Sequence, residues 1–127
     1  MGTELLHRGV NVSLPLWSAS AVEEAPEIVE QIHRDYMKAG ADIITTNTFR
    51  TTTRTFLKIG ASPDEARARA KTSTNEAVRL AKKAASGNVM VAGSIAPLED
   101  CYAPELFPGV VTAIKEFEEQ GGMASGE

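Results

Sequence analysis

One cysteine, two histidines, one tryptophan and two tyrosines are all that this 127-residue chain carries of those types. The lone thiol, Cys101, excludes an internal disulfide and, by itself, any metal site built from several thiolates. Aromatics make up 6% of the residues and do not interleave with the basic ones, so there is no stacking platform for nucleic acid. Acidic residues outnumber basic ones, 17 to 13, and the net charge of −4 sets no partner class of its own. No apolar run approaches the roughly 20 residues of a membrane-spanning helix, and the opening MGTELLHRG lacks the apolar stretch of a secretory signal. The expectation is a cytoplasmic protein with no membrane span and no nucleic-acid surface. Neither G-x-G-x-x-G nor a Walker-type loop occurs, so a phosphate cradle is not expected either.

What is present is the composition of one globular unit, 43% hydrophobic and 24% charged, long enough to bury roughly two-thirds of its unfolded surface. Residues 26–39 place Ile28, Val29, Ile32 and Tyr36 at helical spacing, with Pro26 suited to the first turn and Gly40 just past the end. The β-branched run 41–46 follows and reads as a buried strand. Ser62-Pro63-Asp64-Glu65 has the form of a capping box. It opens a helix of about 23 residues along Ala66, Ala70, Ala77, Leu80, Ala81 and Ala84, which Ser86-Gly87-Asn88 stops. A second apolar strand, 89–93, comes next. A short helix within 49–58, a proline-bearing loop over 94–108 and a helix over 110–119 complete the pattern, before a Gly-rich tail from 121 to 127.

Helices alternating with buried strands indicate an α/β fold with a parallel sheet. Only two strands are legible, and two parallel strands leave open edges, so part of a larger sheet is the natural reading.

The run His33 to Phe49, HRDYMKAGADIITTNTF, resembles the homocysteine S-methyltransferase family. So do Pro15-Leu16-Trp17-Ser18-Ala19 before it and Val91-Ala92-Gly93-Ser94-Ile95-Ala96-Pro97 after it. The resemblance implies a partial (β/α)8 TIM barrel, with residues 1–120 as the N-terminal part of a homocysteine-binding domain and strands two and three of the barrel supplied here. It also implies methyl transfer from a small donor to the homocysteine thiol, giving methionine. The implied cofactor is zinc, held by three cysteines of which none is in this chain; the family's first strand, with its acidic residue, would lie before Met1. A chain limited to this portion is expected to be inactive alone. The alternative from another class is a non-catalytic fragment that forms a homo-oligomer or docks on a complementary half.

For the site, the resemblance implies Thr46 and Asn47 as homocysteine-binding residues, where spacing alone favours a capped strand-to-helix junction. Strict alternation turns Thr46 and Thr48 away from Asn47. Trp17 stands as pocket aromatic or as packing residue. By the same resemblance, Arg50 takes the position where the betaine-using member of the family has an aromatic suited to a quaternary ammonium, which disfavours betaine as donor. Gly93-Ser94 reads as a tight turn, with close backbone approach to a ligand as the alternative. His33, four residues after Val29, reads as half-buried and hydrogen-bonded, and Cys101 as a free thiol. The cations of the long helix, Arg67, Arg69, Lys71, Arg79, Lys82 and Lys83, read as a solvated face.

Overall fold

The computed structural model describes residues 1–98 and 103–125. Helices α1 (Gly2–His7), α2 (Ser20–Glu24) and α3 (Pro26–Lys38) lead into strand β1 (Ile43–Thr45); α4 (Thr53–Lys58) and α5 (Pro63–Ala85) lead into β2 (Met90–Ala92), and α6 (Val110–Ser125) follows. Among the described residues the sheet has two strands, parallel, with Ile43 opposite Met90 and Thr45 opposite Ala92. The α/β alternation read from the sequence is present, with both strands shorter than expected. Their outer residues lack a second partner strand to extend the ladder.

Local signals place the helices. Ser62 accepts a hydrogen bond from Glu65 N at 3.4 Å and starts α5, with Pro63 in its first turn. Ser86 ends it in the left-handed conformation, φ 49°. Between these ends the small residues Ala66, Ala70, Ala77, Ala81 and Ala84 are buried, which lets α5 lie close under α3, α4 and the sheet. Ile44 points into this layer against Ala81, Ala84 and Ala85. A second cluster joins Leu5, Val12, Ala21, Val29 and Ile32 to Leu80. Arg8 ties α1 to Asp35 of α3 at 2.8 Å.

The C-terminal helix departs from the expected 110–119: α6 runs on through Gly121 and Gly122 to Ser125. Residues 121–125, read as the start of a tail, are its last turns. Met123 supplies the reason, being buried beside Phe56, Ala66 and Ala70. Burying a Met side chain contributes about 1.5–3 kcal/mol, enough to offset two helical glycines at about 1 kcal/mol each. Arg54 grips Glu116 with its guanidinium fork, and Thr53 donates to Glu119 at 2.8 Å.

One sheet face lies on the helices; on the other, Ile43 and Met90 remain 50% and 64% exposed. Parallel sheets are ordinarily covered on both faces. Among the described residues no strand pairs with the far edge of β1.

Candidate functional site

Where β1 ends, the chain buries three consecutive polar residues, Thr46, Asn47 and Thr48. Alternation divides them as expected. Asn47 turns toward the loop before α2, where Oδ1 accepts from Ser18 Oγ at 2.8 Å and Nδ2 donates to the Ser18 carbonyl at 2.7 Å. Thr46 and Thr48 turn toward the end of β2, their hydroxyls 2.8 Å apart.

Each hydroxyl has one proton, so these bonds can be ordered. Thr48 Oγ1 donates to the Ser94 carbonyl at 2.6 Å. The proton between the two threonines therefore comes from Thr46. Ser94 N–H donates back to both hydroxyl oxygens, at 3.2 and 3.3 Å. Thr46 has no proton left for a ligand and one lone pair to offer. Asn47 keeps one amide proton and one carbonyl lone pair. The following loop is pinned to α5 through the Thr51 and Thr74 hydroxyls, 2.7 Å apart.

Beside this strand end opens a cleft of about 380 Å³, walled by Ser18, His33, Tyr36, Thr45, Asn47 and Ser94 among others. His33 departs from the sequence reading. It is 3% exposed, and among the described residues its Nε2 has no hydrogen-bond partner. Burial pushes its pKa below the usual imidazole value, and the nearby N-terminal ammonium of Met1 pushes it further down, so the ring is neutral at pH 7.

Trp17 does not line the cleft. It packs against the Leu5 cluster, and its indole covers Gly2 so closely that a Cβ there would strike Nε1. Its backbone sits at φ 49°, the left-handed region that a bulky side chain seldom adopts, directly before the Ser18 that Asn47 holds. Arg50 stacks over its neighbour Phe49, 5.8 Å from the ring centroid, and borders a different, much smaller crevice. His7 is exposed beside Glu4 at 3.8 Å, away from the cleft residues. Around Gly93 a Cβ would meet nothing within 4 Å. Cys101 lies outside the described residues. The α5 cations pair with acids, Arg69 with Glu23 and Lys83 with Glu30, as a solvated face should.

Ser18 and His33 border this cleft and are not singled out as its residues by the sequence, whereas Thr45 and Ser94 belong to stretches the sequence marks as candidates for ligand contact. A helical position on the buried stripe of α3 was the one available signal for His33. Nothing local marks Ser18 as the partner of a residue 29 positions away.

Residues 1–122 match the sequence profile of homocysteine S-methyltransferase. The chain belongs to the homocysteine S-methyltransferase family. The Homocysteine S-methyltransferase of Escherichia coli K12 is 37% identical over 106 residues, 76% of this chain and 33% of that protein. The Selenocysteine methyltransferase of Astragalus bisulcatus is 40% identical over 68 residues, 54% of this chain and 20% of that protein. Two crystal structures of the E. coli homocysteine methyltransferase MmuM superpose on nearly the whole fold. The oxidized form gives a TM-score of 0.82 at 29% identity, covering 99% of this chain and 47% of that one. The metallated form gives 0.83 at 27% identity, covering 99% of this chain and 48% of that one. This chain spans about a third of the first curated relative and just under half of the solved chains.

Among the described residues no group of three His, Cys, Asp or Glu is placed to hold a metal ion. With a single cysteine in the whole sequence, this chain cannot form a three-thiolate site by itself.

Proposed function

We propose that this chain carries part of the homocysteine-holding mouth of an enzyme that moves a methyl group from a small donor to the homocysteine thiol, giving methionine. The supporting observation is the locked Thr46-Asn47-Thr48 end of a parallel strand beside an open cleft, in a chain whose family match runs over residues 1–122. Ligands of parallel-stranded α/β proteins gather at such strand ends. The spare Asn47 proton suits the substrate carboxylate, while the spare lone pairs of Asn47 and Thr46 suit its ammonium. Trp17 acts one step removed, by setting the position of Ser18.

In the reaction the thiolate sulfur forms a bond to the methyl carbon as the donor's bond to that carbon breaks, the electron pair leaving with the donor. Zinc is the metal this chemistry calls for, and the residues present do not make its site, so no step here runs through it. The finer fold reading, an N-terminal portion of a (β/α)8 barrel, is supported by superposition on just under half of a longer methyltransferase chain. A cytoplasmic location belongs to the same proposal.

Titrating L-homocysteine into the 15N-labelled chain under reducing conditions tests the reading. Shifts are expected at the Asn47 side-chain amide and the Ser18 and Thr46 backbone amides; silence at all three up to millimolar ligand would overturn it. The second reading, a non-catalytic fragment that docks or self-associates, is favoured by the uncovered Ile43 and Met90 face.

A further inference from the structure

A small cavity of about 10 Å³ lies apart from the cleft, walled by Thr48 and Thr51 after β1, Thr74 of α5, Ser94 after β2, and Gln120 and Met123 of α6 among others. Thr48, Thr51, Thr74 and Met123 are buried. Alternation puts Thr48 on the strand face of Ile44, which packs on α5. The cavity therefore belongs to the helix-covered side of the sheet, and helices of this chain close it.

Its hydroxyls are short of protons. Thr51 Oγ1 lies 2.7 Å from Thr74 Oγ1 and 3.2 Å from the Thr48 carbonyl, while Thr74 Oγ1 lies 3.3 Å from the Thr51 carbonyl. Three contacts call for three protons, and two hydroxyls hold two. At 2.7 Å the hydroxyl pair shares one, so one of the two carbonyls goes without, and lone pairs on both hydroxyl oxygens stay unused. Buried polar atoms are almost always bonded. Two other wall residues have protons to spare. Gln120 Oε1 accepts from Ala96 N–H at 3.2 Å, which orients the amide and leaves its Nε2 without a partner among the described residues. The Ser94 hydroxyl proton likewise has none there, since the bonds of Ser94 run through its N–H and carbonyl.

We propose that this cavity is the site of one ordered water molecule, which donates to the proton-short Thr51–Thr74 cluster and accepts from Gln120 Nε2. Water both donates and accepts, and a site for it needs about 10–15 Å³ and two to four polar partners, the size and lining found here. A cation is a poor occupant, because every wall oxygen is neutral and no carboxylate is among the wall residues. The water joins the chain after β1, α5 and α6 at one point. Gln120 then holds α6 to the rim of the site twice, directly through Ala96 N–H and through the water to Thr51. The inference stands on the hydroxyl cluster and survives failure of the methyl-transfer reading.

The test uses the full chain. A high-resolution crystal structure is expected to show an ordered water within hydrogen-bond reach of Gln120 Nε2 and of Thr51 Oγ1 or Thr74 Oγ1. Clear density for these side chains with no peak between them overturns the proposal, and so does a peak with the coordination of a sodium ion. In solution, magnetic relaxation dispersion of water 17O counts long-lived internal waters. Thr74→Val keeps the shape of the side chain and removes its hydroxyl, and is expected to lower that count by one. Thr51→Val gives the same reading where Thr74→Val does not fold. An unchanged count in a folded variant overturns the proposal.

Discussion

Asn47 and Ser18, 29 residues apart, are joined by two hydrogen bonds in opposite directions, so that one amide fixes both the hydroxyl and the carbonyl of the loop residue. Replacing Asn47 by Ala leaves two buried groups of Ser18 unsatisfied. Asn47→Ala is expected to cost about 2–4 kcal/mol, and Ser18→Ala about 1 kcal/mol because it frees only one acceptor. Urea unfolding of both variants and the double variant checks this. Additive losses would show that the pair is not coupled.

The proton order in the threonine pair makes its members unequal. Thr48→Val removes the donor to the Ser94 carbonyl, whereas Thr46→Val leaves that bond in place. Thr48→Val is therefore expected to lower the melting temperature more, with about 1–3 kcal/mol lost. Equal melting temperatures for the two would contradict the assigned order.

His33 ties stability to pH. Its folded pKa lies below its unfolded value, near 6.5, so between the two the unfolded chain binds more protons. Stability is then fully present above about pH 6.5, falls as pH drops below it, and levels off beneath the folded pKa. The His33→Leu variant is expected to flatten this part of the profile. Acetylating the Met1 amine removes a neighbouring positive charge and is expected to raise the His33 pKa, read by NMR titration. No upward movement would remove the ammonium from the explanation.

Met123 anchors the last turns of α6 against Phe56. Met123→Ala is expected to destabilise the chain by about 2–4 kcal/mol and to open residues 110–125 to limited proteolysis. Glu116→Gln, which weakens a partly exposed ion pair, should cost under about 1 kcal/mol.

Purified chain supplied with zinc, homocysteine and a methyl donor is expected to form no methionine above the uncatalysed rate, since one cysteine cannot build a three-thiolate site. Zinc-dependent turnover by this chain alone would defeat that expectation.

The legible parts of the fold carry local chemistry. Ser62, Pro63 and the alanine stripe announce α5 because capping and helical spacing act within a few residues. Ile43 and Ile44 announce a strand, and the polar run 46–48 its end. The α6 boundary was misread, because glycines at 121 and 122 signal a stop locally while the burial of Met123 is a contact with helices more than fifty residues earlier.

Within the site, alternation along one strand sufficed to separate Asn47 from Thr46 and Thr48, since the period of two is a property of the extended backbone. Which groups those side chains bond was decided elsewhere. Ser18, Ser94 and His33 come from three different segments, and only the packing of α3 and β2 around β1 brings them to one cleft. Sequence determined the elements and their polarity through interactions a few residues long. Tertiary structure decided the hydrogen-bond partners, the buried imidazole and the open strand edge, because these depend on distances between segments that local backbone preferences do not encode.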